Sequence, residues 1–331
     1  MKRKYLSIII ACAGILAALC GLAVLYIYWD FTHYIDVNSK AKYNSDCVIM
    51  IQKSGCDNFS IYSKMFKKGN GGARVSMLDT DGTVTRLLDI KDGVIDNAYV
   101  INNTLFVECC TGKDWISGNY EELKMKLIKV ELDTKKYTEE EYNRGEIVAV
   151  KDNAEDMILL SDIPVQNELK SNSVLYDGAV YYIDGENLMS YKDNKSENVM
   201  KVSTKNYCTL SIDSGYVCAG DGNKYCMMEL SGKKEKVICN DTKDVICLRS
   251  KGADAYLCYK DTVKKVTFEG DGKDIYTLKN AHQDEKICDV KTENETISIF
   301  TNYRYIVCSP DGEILKQQMY SEPIIFDCIG S

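Results

Sequence analysis

The fold is constrained most by a short hairpin pattern that recurs along most of the sequence. Each copy has two runs of alternating apolar and polar residues, separated by a short turn drawn mainly from Asp, Gly, Asn and Lys. Such alternation predicts half-buried β-strands, and an Asp-Gly turn supplies the positive φ that a tight hairpin requires. Six copies are present: 74–88, 126–140, 187–202, 225–238, 263–278 and 305–318.

In the second half of the chain a further hairpin precedes each of these copies. Two hairpins in every period of about forty residues make a four-stranded unit, and repetition of such a sheet is typical of β-propeller blades. Because a closed ring leaves no long sheet edge exposed, we expect an all-β propeller. The additional hairpins lie at 173–184, 210–220, 248–259 and 289–300.

Four cysteines provide a second measure of the repeat. They are spaced by 39, 41 and 40 residues, and the first three begin the innermost strand of successive predicted blades. The fourth has the same phase, yet no further blade follows it. We therefore expect the C-terminal strand to complete a blade whose other strands come from Cys47 to Ile90, closing the ring. The four residues are Cys208, Cys247, Cys288 and Cys328.

The six turn hairpins predict a six-bladed β-propeller, with a seven-bladed β-propeller as the alternative. The alternative arises because residues 137–171 contain two extra apolar runs, Ile147–Val150 and Met157–Leu160. We interpret this segment as a long excursion between blades, which leaves six.

Repeat signatures of known propellers are mostly missing. The predicted repeats contain no WD dipeptide, and Ser211-x-Asp213-x-Gly215 begins like an Asp-box but lacks its Trp. The run Ala179–Tyr191, AVYYIDGENLMSY, is similar to the YWTD-type six-bladed propellers of the low-density-lipoprotein-receptor kind and to their uncharacterised bacterial relatives. The resemblance covers one blade well and the others only in layout. It implies six blades and no particular ligand, while a Lys-, Asn-, Ile- and Tyr-rich composition indicates a bacterial surface protein.

The N-terminus predicts a single-pass membrane anchor. Tyr5–Trp29 carries no charge, which suits the roughly 20 apolar residues that a membrane-spanning helix needs. Basic residues precede this run and aromatic residues end it, so residues 1–4 are expected in the cytoplasm, 30–46 as a stalk and 47–331 as an extracytoplasmic domain. A cleaved signal peptide ending near Ala11-Cys12-Ala13 and a lipoprotein signal at Cys12 are the rival interpretations.

The net charge of the chain disfavours one class of binding partner. The chain has 41 basic and 49 acidic residues; beyond residue 29 the 38 remaining basic residues leave a net charge of −11. An acidic surface repels phosphate backbones, so we expect no nucleic-acid partner.

Motifs for catalysis are absent from the sequence. The two histidines, His33 and His282, are expected in solvated loops, and neither belongs to a nucleophile or zinc motif. Asp79–Gly82 has an Asp-rich pattern, but the flanking positions that a calcium loop requires do not fit, which favours a hairpin turn. We predict no catalytic residue, no cofactor and no metal site.

Thirteen cysteines lie beyond the apolar run, and none forms a Cys-x-x-Cys pair. We interpret those on the inner strands as small apolar core residues with free thiols. A disulfide between the neighbours Cys109 and Cys110 is disfavoured, since adjacent strand residues point to opposite faces.

The best candidate for ligand contact is the loop Thr111–Glu122, which is longer than its counterparts. Trp115 and Tyr120 could stack on a sugar or peptide there, although Trp115 could equally cap its own blade. We therefore expect a membrane-tethered extracytoplasmic module that binds a peptide, a glycan or a partner protein. The alternative is an extracellular enzyme that uses carboxylates at the propeller channel.

Overall fold

The computed structural model describes residues 2–44, 46–67, 69, 71–111, 125–142, 147–150, 157–159, 174–193, 195–203, 209–221, 223–293 and 295–329. The described residues are mostly β, with 55% of them in strands, and they include two helices. Their strands form seven antiparallel sheets within these ranges, which we number I to VII in chain order.

Helix α1, Lys2–Thr32, contains the apolar run. Its portion Cys12–Thr32 is long and apolar enough to cross a membrane, and the rest of the chain buries none of the residues from Cys12 to Trp29. Large side chains such as Leu22 and Leu25 are more than half exposed. An apolar surface of this size is suited to a bilayer, either as a membrane span or as a signal sequence.

Sheet I combines segments from both ends of the chain. Its strands are β1 (Ile35–Val37), β2 (Val48–Cys56), β3 (Gly72–Leu78), β4 (Val84–Ile90) and a C-terminal strand, Cys328–Ile329, in the spatial order β1-β4-β3-β2 and then the C-terminal strand. Helix α2, Ile61–Phe66, lies between β2 and β3 in the chain.

The predicted pairing of the C-terminal strand is present. Cys328 lies opposite Ile51, and Ile329 opposite Met50. The two ends of the β region are therefore joined by backbone hydrogen bonds. The segment predicted as a stalk, 30–46, contributes β1 to the opposite edge of the same sheet.

The remaining sheets follow in chain order. Sheet II contains β5 (Gly93–Ile101), β6 (Thr104–Thr111), β7 (Met125–Glu131) and β8 (Tyr137–Tyr142); sheet III contains β9 (Ile147–Val150) and β10 (Met157–Leu159); sheet IV contains β11 (Val174–Tyr176), β12 (Ala179–Asp184), β13 (Asn187–Lys192) and β14 (Lys195–Lys201). Sheet V contains β15 (Thr209–Asp213), β16 (Tyr216–Gly220), β17 (Tyr225–Glu229) and β18 (Lys234–Cys239); sheet VI contains β19 (Cys247–Lys251), β20 (Asp254–Cys258), β21 (Thr262–Thr267) and β22 (Gly272–Thr277). Sheet VII contains β23 (Ile287–Glu293), β24 (Thr296–Thr301), β25 (Arg304–Cys308) and β26 (Ile314–Met319); the C-terminal strand is β27.

All six predicted turn hairpins form, as β3–β4, β7–β8, β13–β14, β17–β18, β21–β22 and β25–β26. The segment interpreted as an excursion also contains a hairpin, because Val150 pairs with Met157 to make sheet III. Strand β9 of this sheet lies beside β11, the first strand of sheet IV. The first strands of sheets V and VI are neighbours in the same manner.

A repeated lysine contact joins successive sheets at their outer strands. In each case a lysine of the fourth strand donates to a backbone carbonyl in the outer turn of the next sheet. The pairs are Lys236 Nζ with Glu269 O at 2.6 Å, Lys273 Nζ with Asp311 O at 3.2 Å and Lys316 Nζ with Thr80 O at 3.1 Å. The last pair connects sheet VII to sheet I. These two sheets therefore share the same lysine contact that joins V to VI and VI to VII.

The apolar core lies between neighbouring sheets, including sheets VII and I. There, Met50 and Leu78 of sheet I pack with Phe300 of sheet VII and with Phe326, which precedes β27. All four side chains are at most 2% exposed. Apolar burial at this contact therefore reinforces the pairing of β27 with β2.

Candidate functional site

The two residues predicted to contact a ligand, Trp115 and Tyr120, lie outside the described residues, so their role stays a prediction. Both histidines are exposed at loops. The His33 ring stacks on Trp29 with centroids 4.4 Å apart, and the His282 ring stacks on Tyr303 at 4.3 Å. Each ring thus packs on a neighbouring aromatic residue.

The Asp79–Gly82 segment is the predicted hairpin turn. Gly82 N donates to Asp79 O at 3.0 Å. The Gly82 φ of +87° is a value that residues other than Gly rarely adopt. The segment joins β3 to β4.

A polar cleft lies where the innermost hairpins of sheets V and VI turn, beside sheet VII. Its volume is about 460 Å³. Six residues line it: Asp213, Ser214, Ser250, Lys251, Gly252 and Thr292. They come from the ends of β15, β19 and β23 and from the turns that follow, so the repeat itself brings them together.

Asp213 fixes the shape of the cleft. Its Oδ2 accepts a hydrogen bond from Gly252 N at 2.6 Å, which holds the turn of sheet VI against that of sheet V. Ser214 and Gly215 both have positive φ, as a two-residue hairpin turn of the type I′ class requires. The carboxylate therefore occupies a fixed position at the cleft wall.

Hydroxyl groups connect the innermost strands behind this wall. Ser211 Oγ and Ser250 Oγ lie 2.9 Å apart, and Thr292 Oγ1 donates to Ser250 O at 3.4 Å. These contacts join β15, β19 and β23, so three sheets hold the lining of the cleft in one arrangement.

Lys251 is the unusual residue of the cleft. Its Nζ is buried and has no hydrogen-bond acceptor in the described part of the chain. An ammonium group carries three donors, and burying it without acceptors is costly. The arrangement is therefore suited to a ligand that brings an anionic or strongly accepting group to Lys251.

A buried ion pair underlies the innermost strands near the start of β19 and β23. Asp289 is fully buried, and its Oδ2 accepts from Arg249 Nη2 at 2.8 Å and from Ile329 N at 2.9 Å. Its Oδ1 accepts from Cys247 Sγ at 3.1 Å and from Val290 N at 2.7 Å. This carboxylate thus links sheets VI and VII to β27.

The Cys247 thiol in this network is held in its protonated form. A hydrogen bond with Cys258, together with burial and the charge of Asp289, raises the pKa of Cys247 well above its ordinary value. A thiol that stays protonated donates to Asp289 and is a poor nucleophile or metal ligand.

A second buried carboxylate, Glu285, precedes sheet VII. Its Oε1 accepts from Arg304 Nε at 2.8 Å and from Thr301 Oγ1 at 2.9 Å. Asp289 and Glu285 therefore each have a guanidinium partner, and both stabilise the fold around the innermost strands.

The fourteen cysteines in the described residues all have free thiols, Cys109 and Cys110 among them. Burial raises the pKa of Cys218 and Cys288 to about 12 and that of Cys308 and Cys328 to about 11. Of the inner-strand cysteines predicted as core residues, Cys288 is buried, whereas Cys247 and Cys328 are half-buried. Cys208 lies outside the described residues.

Comparison with known proteins gives no family. No known protein family and no curated protein matches the chain. Similar solved structures include a nidogen–laminin complex, in a chain that is a YWTD-type propeller, with a TM-score of 0.44, 8% identity, and coverage of 86% of this chain and 97% of that one.

Two further structures match parts of longer chains. The extracellular domain of the putative one-component system BT4673 from B. thetaiotaomicron has a TM-score of 0.38 and 9% identity over 89% of this chain. The tricorn protease has a TM-score of 0.36 and 9% identity over 85%. The matches span only 37% and 31% of those two chains.

Proposed function

We propose that this protein is a membrane-tethered extracytoplasmic binding module without enzymatic activity, whose polar cleft holds an anionic group of a peptide or glycan. The observation that carries the proposal is Lys251, whose buried ammonium faces no acceptor in the described residues. A carboxylate on the ligand would supply that acceptor as a charge-assisted hydrogen bond. The hydroxyl-linked strands and Asp213 would orient the rest of the ligand.

The proposal includes closure of the sheets into a ring. Sheets VII and I share the lysine contact, the apolar packing and the β2–β27 pairing, as expected for neighbouring blades of a closed propeller. We favour the seven-bladed alternative, with sheet III as a reduced blade, because β9 lies beside β11 as β15 lies beside β19. A closed ring would keep the cleft at one end of a central channel.

Tethering follows from α1 and from the charges before it. Lys2, Arg3 and Lys4 precede the apolar run, which favours a cytoplasmic N-terminus and an extracytoplasmic β domain. The excess of acidic residues in that domain suits a soluble surface outside the membrane.

The test is a binding array probed with the full-length protein in detergent. The array pairs peptides and peptidoglycan fragments that carry a free carboxylate with the same compounds as carboxamides. We expect preferential capture of the carboxylate forms. Lys251→Met is expected to weaken that capture by about tenfold or more, as for loss of a charge-assisted hydrogen bond worth roughly 1.5–3 kcal/mol.

Lys243→Met, which replaces an exposed lysine in the loop after β18, is the matched control and should bind normally. Equal capture of carboxylates and carboxamides, or equal binding by the Lys251→Met variant, would contradict the proposal. Trp115→Ala, tested on the same array, examines the predicted rim contact separately.

A further inference from the structure

The structure joins α1 to sheet I with almost no free linker. Only His33 and Tyr34 separate Thr32 from β1. Asp30, at the end of α1, is buried, and its Oδ2 accepts from Ile61 N at 2.7 Å while its Oδ1 lies 3.2 Å from Lys91 Nζ. The β domain is therefore held at the end of α1 in a defined orientation.

Helix α2 lies against this same end of α1. The Phe31 ring contacts the Tyr62 ring at 5.1 Å between centroids, and the Tyr62 ring contacts the Phe66 ring at 4.7 Å. Ser60 Oγ caps the helix by accepting from Ser63 N at 3.1 Å. A continuous aromatic row thus runs from α1 onto α2.

The outer face of α2 is apolar at its centre and basic at its side. Met65 and Phe66 are 60% and 57% exposed, and Lys64 and Lys67 beside them are exposed as well. Two adjacent large apolar side chains left in water are unfavourable relative to burial.

The position of α2 along α1 identifies what covers this face. Tyr26 stacks near Trp29 at 6.0 Å, and such aromatic residues mark the headgroup level of a bilayer. Phe31 is two residues further, a rise of about 3 Å, so its partner Tyr62 lies at nearly the same level. Aromatic and aliphatic side chains prefer this zone, and lysines there are attracted to anionic headgroups.

The geometry points to α2 as a second membrane contact, which docks on the outer leaflet of the bilayer that α1 crosses. Met65 and Phe66 enter the boundary between headgroups and acyl chains, and Lys64 and Lys67 lie among lipid phosphates. Together with the Asp30 contacts, this docking turns sheet I toward the membrane and fixes the orientation of the whole β domain. The inference rests on the proposed membrane span of α1.

The experiment is photocrosslinking in phospholipid vesicles that contain the full-length protein. Benzoylphenylalanine is placed at one position at a time, and lipid adducts are identified by mass spectrometry. Replacement of Phe66 is expected to give lipid adducts, and replacement of Leu22, inside α1, is the positive control for the span. Replacement of Val237, which is 40% exposed on β18, is the matched surface control and should give few.

The outcomes separate the two proposals. Adducts at position 22 without adducts at position 66 would overturn the docking of α2 and leave the span intact, whereas none at position 22 would overturn the span itself. Protein–protein adducts alone at position 66 would assign this face to a protein partner and would also overturn the inference.

Lipid charge provides a second readout. In vesicles with phosphatidylglycerol, Lys64→Glu should lower the adduct yield at position 66 several-fold, and in vesicles of phosphatidylcholine alone it should change little. Lys243→Glu is the charge-matched control and should leave the yield unchanged in both. Equal effects of the two variants would contradict a role for Lys64 at the headgroups.

Discussion

Asp289→Ala is expected to lower the free energy of unfolding by about 3 kcal/mol, because it leaves the charge of Arg249 without its carboxylate partner and the Ile329 N–H without its acceptor. Removal of one member of a buried ion pair commonly costs about 3–5 kcal/mol, and the partial exposure of Arg249 places the effect at the lower end of that range. Chemical denaturation of the full-length protein in detergent, followed by near-ultraviolet circular dichroism, measures the change.

Asp271→Ala is the control for this variant, since Asp271 is an exposed turn residue and its loss should change stability by less than about 0.5 kcal/mol. Hydrogen exchange measures whether Asp289 holds β27 in place. The peptide that contains Ile329 should exchange faster in Asp289→Ala, because the carboxylate attaches β27 to sheet VII. Similar unfolding free energies for the two variants would show that the Asp289 network contributes little.

The strand pairings that could be predicted from the sequence are those marked by patterns of neighbouring residues. The hairpins at 74–88 and 305–318 have alternating strands on both sides of an Asp-Gly turn, so neighbouring residues alone determine them. The pairing of β27 with β2 spans the chain and was still predictable, because Cys328 keeps the phase of Cys247 and Cys288. A periodic repeat converts a distant contact into a local pattern.

Sheet III and α2 lack such signals. Ile147–Val150 and Met157–Leu159 are separated by six residues without Gly or Pro, so no tight-turn motif marks their pairing in the sequence. Helix α2 has only six residues, too few for a period of 3.6 to be recognised, and its contacts with α1 stabilise it.

The cleft, too, could not be predicted as a site from local sequence patterns. The Ser211-x-Asp213-x-Gly215 pattern contains a lining residue of the cleft, but as an incomplete Asp-box it predicted no site, although Ser250 follows Ser211 at 39 residues, in phase with the cysteines. Lys251 stands next to Gly252 in a sequence typical of an exposed turn. Its ammonium is buried only because strands from other sheets surround it, which no local pattern records.

Alkaline pH is expected to unfold the β domain through its buried thiols. Burial holds the pKa of Cys218 and Cys288 at about 12 and that of Cys308 and Cys328 at about 11, above the ordinary thiol value. In an unfolded chain the thiols lose their protons at about pH 9, while in the folded chain they retain them. Stability is therefore complete below that pH and declines as the pH rises toward the folded pKa values.

The decline should be steep because four thiols contribute in the same direction. Each contributes about 1–1.5 kcal/mol of lost stability at about pH 10, so together they remove about 4–6 kcal/mol, a large part of the stability of a typical domain. Denaturation curves recorded with a reducing agent at successive pH values give the slope. Cys308→Ala should be less stable at neutral pH, since it leaves a small cavity, but its slope above pH 9 should be lower by the contribution of one thiol. An unfolding free energy that stays constant across this range would mean that the thiols ionise as readily in the folded protein as in the unfolded chain, and that burial does not protect these four cysteines.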